Sequence, residues 1–428
     1  MNLPKLHSIY KSSSGVAIDS RKIKKNSLFF ALKGKNFDGN DFAIDAIERG
    51  AKYSLVDNVQ ISKESDKMIL VDNVLISLQE LANFHRKKLC AKIIAITGSN
   101  GKTTTKELIK SVLSQKYITK ATVGNLNNEI GVPLTLLEFD ENTEFGIVEM
   151  GASQIQEINF LTRIIEPDFG LITNFGYAHL EGFGGFEGVI KGKSELYNYL
   201  KKKNKLAFLN LDDPIQKKWI SKLSSFTYGR SRNSDCKLKP IENIDKPLEL
   251  KLEKEIINTQ LYGNYNFSNI ACAIAIGRFF KLNLLNIKKG IYEYIPRNNR
   301  SQIILRGSNS INLDAYNANP TSMSASISSF NDRKKRMSIV ILGDMLELGI
   351  FTSSAHQKII DQLEESKIEE ILTVGNLFFN TETSHERFKK FRNVVDLKKY
   401  IKKKNFINSD ILIKGSRKMQ LEKLINLF

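Results

Sequence analysis

Cysteine is scarce: Cys90, Cys236 and Cys272 are the only three in 428 residues, far apart and with no CxxC pair. That excludes a disulfide framework and a cysteine zinc site, and it fits a reducing compartment. Long apolar runs are missing too. Nowhere do about 18 apolar residues follow one another, and residues 1–14 lack an apolar stretch of signal length. The expectation is a cytoplasmic chain with no membrane insertion. No internal repeat and no low-complexity tract is present, and 41% hydrophobic with 26% charged residues excludes disorder. At about 100–200 residues per domain, three domains are the simplest division. Each is large enough to bury a core without disulfide or metal staples.

Acidic residues are in deficit. Lys plus Arg number 64 against 46 Asp plus Glu, a formal net charge of +18. Such a balance suits nucleic acid, an anionic membrane surface or an anionic small substrate. The basic clusters (Lys22/Lys24/Lys25, Lys201–Lys203, Arg333–Arg336, Lys402–Lys404) are scattered and carry no interleaved aromatics to stack bases. They read as solvated lysine faces, so no nucleic-acid partner is expected.

The patterning is α/β. Residues 1–88 carry short strand candidates at 27–32 and 53–56, with a helical segment at 41–49 ending at Gly50. In 89–296, apolar runs at 92–97, 145–149 and 169–173 lack alternation and are separated by helices, with further helices at 188–200 and 268–280. That spacing predicts a parallel sheet covered on both faces. In 297–428, strand candidates at 338–342 and 370–374 are followed at once by Gly343 and Gly375, and the candidate at 410–413 is followed one residue later by Gly415. Glycines at the carboxyl ends of parallel strands are where open α/β sheets place ligand loops.

The sharpest local signal runs from Ile93 to Thr105, a strand, a glycine turn and a Gly-Lys-Thr that opens a helix. Backbone N–H groups of Gly98, Ser99, Asn100 and Gly101 and the helix N-terminus suit a phosphate cradle. Lys102 then reaches terminal phosphates, and Thr103 and Thr104 supply hydroxyls for phosphate or Mg²⁺. The spacing departs from GxxxxGK[ST], because the first glycine sits only three before Gly101. Glu149, ending a strand candidate, suits Mg²⁺, which prefers oxygen ligands. His179 lies in a glycine-rich loop, where it either bonds its own loop or serves a site.

Together these residues resemble the Mur ligase family, ATP-dependent amide-forming enzymes of peptidoglycan synthesis. The resemblance rests on TGSNGKTTTKE with DSRK (19–22), GNLNNEIGVPLTLL (124–137), VEMGAS (148–153), AHLEGFG (178–184), DAYNANPTSM (314–323), LGDMLELG (342–349) and IKGSRKM (413–419). It implies a small N-terminal α/β substrate domain, a central P-loop ATPase-like domain and a C-terminal Rossmann-like domain. It also implies an ATP-dependent ligase joining D-alanyl-D-alanine to UDP-N-acetylmuramoyl-tripeptide through an acyl phosphate, with two Mg²⁺ ions and a monomeric chain.

By the same resemblance, Lys102, His179 and Lys193 are catalytic, and Thr103, Glu149 and His179 hold metal. Lys193 matches a lysine that the family carbamylates, with Lys191 two residues away as the competing choice. Asn266 and Asn269 face adenine, with Tyr265 where the family has histidine; Arg300 and Asp314 serve ribose and phosphate. Ser20 and Arg21 are uridine-nucleotide contacts, Asn127 and Asn128 lie near the tripeptide, and Tyr316, Asn317, Asn319, Lys414 and Arg417 form the acceptor side. The segment 296–300 is the expected hinge between the second and third domains. Two other readings stay open, another Mur or folate-polyglutamylating ligase and a nucleotide-dependent switch protein.

Overall fold

The computed structural model describes residues 2–241, 243, 246–332 and 336–428, so residues 333–335 of the Arg333–Arg336 cluster lie outside the described residues. Three α/β units follow one another, each around its own sheet.

The first sheet runs Val16–Ala17, Leu28–Phe30, Tyr53–Val56, Met68–Leu70, all parallel. The helical pattern at 41–49 divides into a 3₁₀ turn, Gly39–Phe42, and a helix, Ala43–Glu48. Asp38 causes the split: its carboxylate accepts from the Asn40 N–H at 2.9 Å and caps the tighter turn first. The helix Val74–Lys88 carries Leu78, Leu81 and Ala82 on its buried face.

The middle sheet has nine strands. Its order is Glu255–Asn258, Glu249–Leu252, Cys236–Ile241, Ser225–Gly229, Leu206–Asn210, Phe169–Ile172, Lys92–Thr97, Phe145–Glu149, Thr119–Ala121. The sheet is parallel as expected, with an antiparallel addition at one edge. From Cys236–Ile241 to Thr119–Ala121 the sheet is parallel, but Glu249–Leu252 and Glu255–Asn258 are added antiparallel. Only two residues, Glu253 and Lys254, join that hairpin, too few for a parallel crossover. Its alternating burial leaves one face in water, whereas Phe145–Glu149 is buried throughout.

The third sheet runs Gln302–Arg306, Asn309–Asp314, Ser409–Lys414, Met337–Gly343, Glu370–Val374, Phe388–Phe391. It is parallel except for the first pair.

The units are joined by burial. Leu6 and Tyr10 of the helix Leu3–Lys11 share a core with Leu78 and Leu81 and with Val132, Leu136, Ile158 and Leu161 of the middle unit. The Tyr10 hydroxyl donates to the Leu137 carbonyl, and a buried Arg86 donates to Ile165 O at 3.0 Å and Asp168 Oδ2 at 2.8 Å. On the other side, Leu180, Phe183 and Val189 pack in one cluster with Met345 and Leu348 of the third unit. The carboxyl ends of the middle and third parallel sheets thereby face one another, where open α/β sheets bind ligands.

Candidate active site

A cavity of about 950 Å³ opens between the second and third units. Its floor is the turn between the strand Lys92–Thr97 and the helix Lys102–Leu113. Two of its glycines are dictated by contact. Gly98 has φ +142° and Gly101 has φ +77°; a Cβ would fall 2.0 Å from Thr173 Oγ1 at the first and 2.4 Å from Asn269 Oδ1 at the second. The turn is braced from the next strand end. Ser99 N donates to Asn174 O at 3.0 Å, Asn100 N to Asn174 Oδ1 at 3.0 Å, and Thr173 Oγ1 to Asn100 O at 2.6 Å.

Lys102 folds over this turn, donating to Gly98 O at 2.6 Å. Burial holds its ammonium below its ordinary value; Glu149 opposes that shift and Arg300 adds to it. Thr103 Oγ1 donates to Glu149 Oε2 at 2.9 Å, and Asn127 Nδ2 donates to Glu149 Oε1 at 2.9 Å. Glu149 is only 2% exposed. An ionised carboxylate at that depth needs partners. A third is a lysine that the motif reading passed over: Lys106, wholly buried, with Nζ 3.9 Å from Glu149 Oε2. Nothing in the sequence distinguishes Lys106 from a surface lysine one turn into a helix.

Thr103 and Glu149 offer hard oxygen donors, and Mg²⁺ is bound by one or two carboxylates with phosphates and waters. Among the described residues no cluster of three His, Cys, Asp or Glu side chains stands ready for a metal.

His179 borders the cavity at φ +53°, the left-handed region that non-glycine residues adopt only where their surroundings impose it. Burial lowers its pKa, with Lys102 and Lys193 acting in the same direction and Glu347 opposing. Of the two competing lysines, Lys191 is exposed and Lys193 is 1% exposed. Lys193 Nζ donates to Ala152 O at 3.0 Å and lies 4.9 Å from the Phe183 ring centroid. Burial drives its pKa well below the ordinary lysine value, and Lys102 adds to the shift.

The opposite wall comes from the loops after Asn309–Asp314 and Ser409–Lys414. The Arg300 guanidinium stacks 3.6 Å from the Tyr316 ring centroid, its Nε without a partner. A buried Lys414 pairs with Asp314, which also accepts from Ser326 Oγ at 3.1 Å. Asn269, within the helix Phe267–Phe279, accepts from Thr105 Oγ1 at 3.1 Å and donates to Asn266 Oδ1 at 3.1 Å; Asn266 stands at that helix's N-cap but makes no side-chain capping bond. The Tyr265 hydroxyl meets Ser301 Oγ at 2.9 Å. Asn319 caps the helix Pro320–Asn331 and donates across the domain boundary to Asn100 Oδ1 at 2.7 Å.

Gly101, Ser99, Asn100, Lys102, Thr103, Thr104, Asn127, Asn128, Glu149, His179, Asn266, Asn269, Arg300, Asp314, Tyr316, Asn317, Asn319 and Lys414 all border this one cavity. Arg417 lines an adjoining cleft with Arg300 and Tyr316 and pairs with Glu422 at 2.9 Å. Ser20 and Arg21 sit apart in the first unit, where Arg21 is held by Asp19 at 2.8 Å.

Comparison with known proteins gives three family matches along the chain: Mur ligase family, catalytic domain, at residues 12–92; Mur ligase middle domain at 96–277; and Mur ligase, glutamate ligase domain, at 299–417. The UDP-N-acetylmuramoyl-tripeptide–D-alanyl-D-alanine ligase of Bacillus subtilis (strain 168) is 37% identical over 425 residues, covering 96% of this chain and 92% of that protein. The Escherichia coli (strain K12) ligase of the same name is 32% identical over 423 residues, with 96% and 92% covered. A crystal structure of MurF from Acinetobacter baumannii superposes with a TM-score of 0.88 at 26% identity, covering 99% of this chain and 98% of that one. MurF of Thermotoga maritima, solved with ADP, shares the fold with a TM-score of 0.85 at 24% identity, over 97% of each chain.

Proposed function

The chain belongs to the Mur ligase family, and we infer from its whole-length similarity to the dipeptide-adding members that it is an ATP-dependent ligase of peptidoglycan synthesis. It joins D-alanyl-D-alanine to UDP-N-acetylmuramoyl-tripeptide. One observation carries the reading on the side of the geometry: the phosphate turn, the Thr103–Glu149 pair and the acceptor-side residues Tyr316, Asn317 and Lys414 open into the same cavity.

The proposed chemistry proceeds in two steps. A carboxylate oxygen of the tripeptide attacks the γ-phosphorus of ATP, and ADP leaves. The free amine of D-alanyl-D-alanine then attacks the acyl carbon, loses its proton, and phosphate departs with the former carboxylate oxygen. Bringing a carboxylate to a polyphosphate requires positive charge fixed in place beforehand. Lys102 supplies it from the turn, and Arg300 and Lys414 from the facing domain. Thr103, Glu149 and His179 are the residues we assign to hold Mg²⁺, which would neutralise developing charge on the transferring phosphoryl group. Lys193, buried and with its pKa driven down, is the lysine we assign to carbamylation, which would put an anion where the amine stands and could help to hold Mg²⁺.

Asn266, Asn269, Arg300 and Asp314 are assigned to the nucleotide, and Asn127 and Asn128 to the tripeptide. Ser20 and Arg21, outside the cavity, are assigned to the distant uridine end, and Arg417 to the acceptor from its adjoining cleft. Among the described residues no helix is long and apolar enough to cross a membrane, and we place the reaction in the cytoplasm, on a monomer.

Phosphate release from ATP and Mg²⁺ tests the reading. It is expected only when the UDP-linked tripeptide and D-alanyl-D-alanine are both present. Release with glutamate or another single amino acid as acceptor would identify a different amide ligase. Tight ATP binding with no release under any acceptor would identify a nucleotide switch.

A further inference from the structure

The loop 344–349 of the third domain places Glu347 against His179 of the second, with Glu347 Oε2 2.5 Å from His179 Nδ1. Both residues hold left-handed backbone, φ +63° and φ +53°, a costly arrangement for side chains that carry a Cβ. The approach is backed on several sides. Glu181 N donates to Glu347 O at 3.4 Å, and Met345 and Leu348 are buried in the cluster holding Leu180 and Phe183. His356 Nε2 accepts from Met345 N at 3.0 Å and so fixes the base of the loop. Nδ1 of His179 is buried and has no other partner, although the contact with Glu347 is out of line for a strong hydrogen bond.

A histidine that ligates a metal through one ring nitrogen nearly always gives the other N–H to a carboxylate or carbonyl, which sets the tautomer and the ring orientation. We propose that Glu347 is that carboxylate: a positioning residue that reaches across the domain boundary, holds the proton of His179 on Nδ1 and leaves Nε2 to face the cavity. The second-domain ligand is then correctly set only when the third domain is docked. Metal affinity and domain closure become one event, and an open enzyme holds its metal poorly. This inference rests on the assignment of His179 as a metal ligand.

The test is Mn²⁺ uptake, followed by electron paramagnetic resonance, in the full chain loaded with a non-hydrolysable ATP analogue and the UDP-linked tripeptide. Glu347→Gly removes the carboxylate while giving the left-handed position the residue that suits it. The melting temperature should therefore stay at or above that of the parent, while Mn²⁺ affinity falls by about tenfold, the scale of lost partners of metal ligands. Glu347→Gln, nearly isosteric, should lose affinity in the same direction. Parent-like affinity in both variants, with His179→Ala clearly weakened, overturns the proposal alone. Parent-like affinity in His179→Ala as well overturns the metal assignment beneath it.

Discussion

Lys193 keeps its amine against a backbone carbonyl and a phenyl ring, with burial and Lys102 both discouraging its charge. A lysine in that setting is available as a neutral nucleophile toward CO₂. Lys193→Ala should lose most turnover and regain part of it when short carboxylates are added. Absence of any rescue, with the variant folded, would contradict an anionic role at this position. On the role proposed for Lys102, Lys102→Ala should lower kcat by at least about 10²–10³-fold, the scale of losing one preorganised group that stabilises the transition state. Steady-state phosphate release on a variant with parent circular dichroism checks it. The turn between the strand Lys92–Thr97 and the helix Lys102–Leu113 was legible because strand, turn and lysine are contiguous. Lys106 and Glu347 were not, because what marks them is contact with Glu149 and His179 across tens to well over a hundred residues.

Elements were readable where burial is uniform. The strands Lys92–Thr97, Phe145–Glu149 and Glu370–Val374 and the strand Tyr53–Val56 lie where the apolar runs predict them. The hairpin Glu249–Leu252 and Glu255–Asn258 escaped notice: charged residues alternate along it, and its turn contains neither glycine nor proline. The docking of the helix Leu3–Lys11 was equally silent, since its partners run from Leu78 and Leu81, some 70 residues on, to Leu137, 127 residues beyond Tyr10.

Two predictions belong at this scale. Gly101→Ala should cost about 1–2 kcal/mol for the left-handed backbone. It should also push on Asn269, lowering the melting temperature and nucleotide affinity together; a parent-like variant would contradict the strain. Tyr10→Phe leaves the Leu137 carbonyl without its donor and should cost about 1–2 kcal/mol, read from the urea midpoint.

Across the whole molecule, His7, His85, His179 and His356 all have pKa values lowered from 6.5, each chiefly by burial. The unfolded chain therefore takes up protons first as pH falls below about 6.5. Stability from these sites is fully present above that value and is lost progressively toward the folded pKa values. The urea midpoint should drop between pH 7.5 and 5.5, before carboxylates begin to titrate; an unchanged midpoint would contradict it. The second and third domains meet through Asn319 and Asn100, Thr321 and Tyr177, and Glu347 and His179, around the cavity. The segment expected to act as hinge carries Asn298 and Asn299 at positive φ, where small rotations redirect the chain. Scattering should show a smaller radius of gyration with nucleotide and tripeptide than without, and equal radii would remove the hinge.

The most direct measurement follows oxygen. With ¹⁸O in the terminal carboxylate of the UDP-linked tripeptide, mass spectrometry of the products reports both bonds at once. The account predicts one ¹⁸O in each released phosphate and a nucleotide product heavier by one D-alanyl-D-alanine less water. Unlabelled phosphate, or labelled phosphate with no dipeptide in the product, would contradict it.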